Sequence, residues 1–135
     1  MYKLLSRLIY NRISPGIFGY QSFDQYGFTP NIRLEDALLT AEVSIEHVLE
    51  FNVPLWVMSL DLRKAFGSVT HSAVFDALRD HGVEESYISL IARLYEGQTG
   101  TVHDSKDFKI SRGVKQGDVL SVIIFNCVLD IAFEK

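Results

Sequence analysis

The sequence predicts a single α+β domain, rich in helix and carrying a short sheet. Three observations lead there. Five stretches repeat apolar residues at helical spacing, a run of β-formers spans residues 54–60, and a turn-containing segment at 99–111 has the alternation of a hairpin. At 135 residues with 47% hydrophobic residues, the chain is long and apolar enough to bury one core.

Residues 1–13 come first. Leu5, Leu8, Ile9 and Ile13 share one helical face, with Lys3, Arg7 and Arg12 elsewhere on the helix. An acid-free, Arg-bearing start also matches the composition of an organelle transit peptide, while Arg7 interrupts the apolar run a secretory signal needs. Gly16, Gly19 and the rings of Phe18, Tyr20, Phe23, Tyr26 and Phe28 follow without a clean period and read as a loop, its rings either filling core or stacking on bases. Thr29 or Asn31 then caps a helix with Pro30 in its first turn. Leu34, Leu38, Ala41, Ile45 and Val48 make its apolar stripe, and Glu35, Glu42, Glu46 and Glu50 its wet side.

Leu55, Trp56, Val57, Met58 and Leu60 form an apolar run that reads as a buried strand ending in Asp61. A carboxylate there either caps the next turn or, fixed on a rigid element, ligates a hard cation such as magnesium. Two short helices follow, 72–81 closed by Gly82 and 85–96 closed by Gly97, with stripes Val74, Ala77, Leu78 and Tyr87, Leu90, Ile91, Leu94. The hairpin at 99–111 is expected to turn near Ser105 and Lys106 and to face Val102, Phe108 and Ile110 inward. Gly113, Gln116, Gly117 and Asp118 make a polar loop, which is a glycine turn with a capping Asp118 on the plainest reading. Residues 120–133 form a helix apolar on nearly every side, so it needs cover all round.

Three blocks then fit a known family in order and spacing. They are Gln25-Tyr26-Gly27-Phe28-Thr29-Pro30 with Glu35-Asp36-Ala37, then Asp61-Leu62-Arg63-Lys64-Ala65-Phe66 with Ser68-Val69, and last Arg112-Gly113-Val114-Lys115-Gln116-Gly117-Asp118-Val119-Leu120-Ser121 with Phe125-Asn126 and Leu129-Asp130. Together they resemble the reverse transcriptase domain of non-long-terminal-repeat (LINE-type) retrotransposons, over nearly the whole chain.

The resemblance implies a partial right-hand polymerase fold, fingers-like over about residues 1–52 and palm-like over about 53–135. It implies RNA-directed DNA synthesis with magnesium, an RNA template, a DNA primer and deoxynucleoside triphosphates. Asp61 is then the catalytic metal ligand, one of three carboxylates that hold two ions activating the primer 3′-hydroxyl and stabilising the leaving pyrophosphate. Leu62, Phe66, Gln116 and Gly117 would meet the incoming nucleotide, with Phe66 as the steric gate against a 2′-hydroxyl or, alternatively, as a core ring. Gln25, Gly27, Phe28, Arg33 and Arg112 would meet nucleic acid.

Departures from the family pattern stand beside these matches. Thr29, Asn31 and Ile32 replace the usual Arg, Gly and Arg around Pro30, which leaves Arg33 as a substitute; Gly67 stands where Asp is usual and Val122 where Pro is. The family's adjacent aspartate pair does not occur in residues 1–135, and a basic segment expected ahead of the fingers helix is missing too. The resemblance therefore implies a truncated fragment, inactive alone, whose missing palm and thumb segments would pack on the C-terminal helix. The alternatives are a non-catalytic remnant, a co-opted interaction module for nucleic acid or protein, and an incomplete gene model.

Composition bounds the rest. A net charge of −4 is unlike a protein that grips phosphates over a broad surface. The lone Cys127, set among apolar neighbours, reads as a small core residue and suits a reducing compartment, cytoplasm or nucleus. His47, His71, His81 and His103 share no metal-ligand spacing, and no apolar run reaches the roughly 18 residues of a membrane span.

Overall fold

The computed structural model describes residues 2–102 and 106–134. Met1, His103 and the expected hairpin turn at Ser105 lie outside the described residues. The elements are α1 (Tyr2–Tyr20), α2 (Leu34–Phe51), α3 (Ala65–Ser68), α4 (His71–Asp80), α5 (Glu85–Tyr95), β1 (Thr99–Gly100), β2 (Phe108–Lys109) and α6 (Val119–Glu134). Helix with a two-stranded antiparallel sheet is the α+β composition expected.

The centre is α6. Leu120, Ile123, Ile124, Phe125 and Cys127 are buried on several sides of it, because α1 and α4 pack against it and α5 backs α4. Helices α1, α4 and α6 run the same way. Asp118, just ahead of α6, lies beside Tyr2, and Tyr95 joins His71 to Ser121 at the same end; at the other end Asp130 reaches Ser22 and His81. The need of α6 for cover is thus largely met within the chain. Val119 and Phe133 remain exposed on it, while Ile123, Ile124 and Phe125, expected to exceed what one small core can cover, are buried.

Helix α1 runs seven residues past the expected end at Ile13, through Pro15 and Gly16. Pro15 lacks the N–H that would bond back to the preceding turn, which argues for a break. Burial decides otherwise, because continuing the helix places Ile17 on the line of Ile9 and Ile13 against α6. Leu8, expected on that face, is exposed instead.

The two middle helices follow their local signals. The Thr70 hydroxyl accepts the Ala73 N–H at the start of α4 (3.3 Å), and Gly82 and Gly97 take the left-handed conformation after α4 and α5 (φ +70° and +68°). Val74, Ala77 and Leu78 are buried as expected. On α5 the buried line is Ile88, Ile91 and Tyr95, with Tyr87, Leu90 and Leu94 flanking it.

Four expectations fail between residues 23 and 62. Helix α2 forms, but none of its residues is buried; Leu34, Leu38 and Ile45 of the expected stripe are exposed. Its start is Arg33, whose N–H donates to the Asp36 carboxylate (2.7 Å), rather than Thr29 or Asn31. Residues 53–62 take no regular structure and join no strand ladder among the described residues, and Trp56 is 94% exposed. A strand needs a neighbour for its N–H and C=O groups, and apolar composition alone does not supply one. Phe23 and Phe28 stand in solvent, against the core-filling reading of the loop rings.

The hairpin is shorter than expected, with Thr99 opposite Lys109 and Gly100 opposite Phe108. Val102 and Phe108 are exposed rather than inward. The Phe108 ring crowds Gly100, where a Cβ would approach its Cζ to 2.7 Å. The accessible surface is 10235 Å², against roughly 7,100 Å² for a compact monomer of this mass, and α2 with the 53–62 run carries much of the apolar excess.

Candidate functional site

Backbone pairing brings the second and third sequence blocks together. Gly113 N–H donates to the Val69 carbonyl (2.7 Å) and Val114 N–H to the Phe66 carbonyl (2.8 Å), with an antiparallel bridge between Thr70 and Arg112. Gly113 is required at that crossing: its φ is +95°, and a Cβ would stand 3.2 Å from Gly67 Cα and 3.3 Å from the Phe66 carbonyl oxygen. The turn after Asp61 is therefore held against the segment leading to Gln116 and Gly117.

Phe66 is half-buried, and its ring stacks on Phe125 of α6 with centroids 4.5 Å apart. That contact gives the ring a packing role whatever else it does. Asp61 and Leu62 are exposed at the end of the irregular 53–62 run, followed by Lys64 in the left-handed conformation (φ 53°). Gln116 and Gly117 are exposed in a tight turn, with Gly117 at φ +80°.

Behind that turn Asp118 is buried. Its Oδ1 accepts the Leu120 N–H (3.4 Å), so the residue caps α6, as the plainest sequence reading had it. Burial and the neighbouring Asp118 both hold the Tyr2 phenol protonated well beyond the usual range. Burial likewise pushes Tyr95 up to about 12, with Asp118 adding to the effect and a Ser121 hydrogen bond opposing it. His71 Nε2 is buried without a hydrogen-bond partner among the described residues. Lys115 places its ammonium 3.9 Å from the Tyr2 ring centroid, and with Arg112, Gly113 and Gly67 it borders a cleft of about 470 Å³.

The first block sits elsewhere on α6. Gln25 folds onto its own loop, its Oε1 accepting the Gly27 N–H (3.0 Å) and its carbonyl accepting the Thr29 hydroxyl (2.7 Å). Gly27 and Phe28 are exposed, and Phe28 adopts φ 57°, an outlier for a bulky side chain. Arg33 is exposed at the start of α2, and Arg112 is exposed at the bridge to Thr70.

Among the described residues no group of three or more His, Cys, Asp or Glu side chains is arranged to hold a metal ion. Asp61 is one ligand of the kind magnesium takes, and by itself it is not a two-ion site.

Sequence reasoning gave no role to three buried polar residues that tie the first block down: His81, Asn126 and Asp130. A signal was available for two of them. Asn126 and Asp130 stand four apart on a helix otherwise apolar nearly all round, and polar groups buried at that spacing need partners.

Comparison of the sequence with known proteins gives the family. The family model described as reverse transcriptase (RNA-dependent DNA polymerase) matches residues 1–135. The Pol polyprotein of the type-2 retrotransposable element R2DM of Drosophila melanogaster is 34% identical over 110 residues, which cover 78% of this chain and 10% of that polyprotein. The Pol polyprotein of the type-1 retrotransposable element R2 of Popillia japonica is 32% identical over 133 residues, 95% of this chain and 18% of the relative. The putative COX1/OXI3 intron 2 protein of Saccharomyces cerevisiae is 26% identical over 129 residues, 95% of this chain and 13% of the relative. The chain thus spans between a tenth and a fifth of these relatives. No solved structure matches it. Among the described residues no helix is long and apolar enough to cross a membrane.

Proposed function

This chain belongs to the reverse transcriptase family, and from that membership we propose that it carries the fingers-like (about 1–52) and first palm-like (about 53–135) parts of a LINE-type retrotransposon RNA-directed DNA polymerase. The observation that supports this reading best is the stitching of the Asp61–Phe66 turn to the Gly113–Gly117 segment through Phe66, Val69, Gly113 and Val114. That pairing sets the residue types of a nucleotide site, a carboxylate, a ring and a glycine turn, on neighbouring backbone segments.

In this proposal Asp61 contributes one carboxylate to a magnesium site whose other ligands come from outside residues 1–135. A divalent ion held there supplies charge neutralisation and activation of the attacking hydroxyl. The chain's own residues do the positioning. Phe66, fixed by its stack on Phe125, presents a ring edge to the sugar; the exposed Gln116 and Gly117 bring an amide and bare backbone to the nucleotide. Arg112, Arg33 and the Gln25–Phe28 loop meet template or primer. The 135 residues alone carry out no primer extension, because one carboxylate cannot hold two ions about 3.5–4 Å apart.

A second reading, an interaction module without chemistry, is favoured by the net charge of −4 and by the bare apolar faces of α2 and residues 53–60. One experiment separates the two. Residues 1–135 replace the matched segment of the Drosophila R2 polyprotein, and primer extension on an RNA template is measured with magnesium. Extension by the chimera supports the polymerase reading; a folded chimera that binds template and primer without extending supports the module.

A further inference from the structure

The loop bearing the first sequence block is held at two points by one helix. Asn126 Nδ2 donates to the Gly27 carbonyl at 2.7 Å, and the Asp130 carboxylate accepts the Ser22 N–H at 3.1 Å. Both side chains are buried, 3% and 7% exposed, at the centre and C-terminal half of α6. Asp130 is in turn fixed from behind. His81 Nδ1 lies 2.9 Å from the Ala77 carbonyl, which only accepts, so Nδ1 carries hydrogen; Nε2 lies 3.1 Å from Asp130 Oδ2. A chain of bonds therefore runs from α4 through His81 and Asp130 to Ser22.

The geometry between the two anchors explains what they hold. Gly27 precedes Phe28, which keeps an unfavourable positive φ and is 69% exposed. A strained backbone carrying an apolar ring into water persists only where its surroundings fix it. Asn126 fixes the carbonyl of the peptide that joins Gly27 to Phe28.

We propose that Asn126 and Asp130 are positioning residues: they hold loop 21–33 on α6 so that Gln25 and the Phe28 ring face nucleic acid. The proposal rests on the polymerase reading for what the loop meets, and on the distances alone for what holds it.

The test uses the 135-residue chain with Asn126→Leu, Asp130→Leu and Asp130→Asn, read by amide hydrogen exchange of loop 21–33 against α4 and α5, and by affinity for an RNA template annealed to a DNA primer. Asn126→Leu and Asp130→Leu should speed loop exchange by about fivefold or more while α4 and α5 stay protected, and should weaken binding in step. Asp130→Asn should restore both in part, because its amide donates from the Oδ2 position to the Nε2 of a neutral His81 while its carbonyl keeps only the longer Oδ1 contact to the Ser22 N–H, 3.4 Å. Should Asp130→Leu unfold α4, Asn126→Leu and Asp130→Asn decide. Unchanged loop exchange in Asn126→Leu overturns the clamp. Faster loop exchange with unchanged affinity overturns the positioning role. A wild-type chain that binds no duplex, while its loop responds as stated, refutes the nucleic-acid reading and leaves the clamp standing.

Discussion

Replacing Leu38, Ile45 and Leu49 together with Gln tests whether α2 contributes to the core. They are 61%, 48% and 76% exposed, and no residue of α2 is buried. Surface changes of this kind usually cost within about 0.5 kcal/mol each, and Gln keeps a good helix propensity, so the triple variant should lose less than about 1.5 kcal/mol. Ile124→Ala is the contrast. Ile124 is 0% exposed at the centre of the packed helices, and truncating such a residue costs about 2–5 kcal/mol. If the α2 stripe faced a core as its sequence pattern suggests, three buried polar groups would approach the whole stability of a small domain, about 5–15 kcal/mol. Urea unfolding followed by circular dichroism supplies the midpoints, and fluorescence of a hydrophobic dye with sedimentation velocity reports the bare surface. The triple variant should unfold near the wild-type midpoint, bind less dye and self-associate less. A lost or strongly shifted cooperative transition would refute the placement of α2.

Three further outcomes follow from buried groups. Burial and the nearby Asp130 push the Cys127 thiol up to about 12, so iodoacetamide should leave the folded chain unlabelled at pH 8 and label it fully in urea; rapid native labelling would contradict its burial. Cys127 and Tyr95 both have folded values raised above their unfolded 9.0 and 10.0, so the stability they contribute is complete below pH 9 and lost as pH rises toward 12. The urea midpoint should fall steadily between pH 9 and pH 11, by about 1 kcal/mol or more in stability, and a flat profile would argue against both. Gly113→Ala should cost about 1–3 kcal/mol, since the new Cβ meets Gly67 and the Phe66 carbonyl at a positive φ, and two-dimensional NMR should show shifts concentrated at 66–70 and 112–117.

The parts of the fold legible in the sequence are those set by neighbours along the chain. Gly82 and Gly97 mark the ends of α4 and α5 through left-handed turns, as expected. The parts that were not legible depend on partners far along the chain or outside it. Residues 53–60 have strand composition but no ladder among the described residues, and α2 has an apolar stripe but nothing packed on it. Pro15 was outvoted by burial of Ile17 against α6. At the site, the residues of the three blocks were visible as a pattern. Their meeting was not, since the bonds from Gly113 to Val69 and from Asn126 to Gly27 cross 44 and 99 positions.

The claim that the chain is built around a polymerase carboxylate is tested most directly by Asp61→Asn in the chimera that places residues 1–135 within the Drosophila R2 polyprotein. Asp61 is exposed, so the change should leave thermal unfolding within about 1 kcal/mol of the parent. Primer extension on RNA with magnesium should be abolished while template and primer still bind. Extension at the parental rate by the Asp61→Asn chimera would contradict the account.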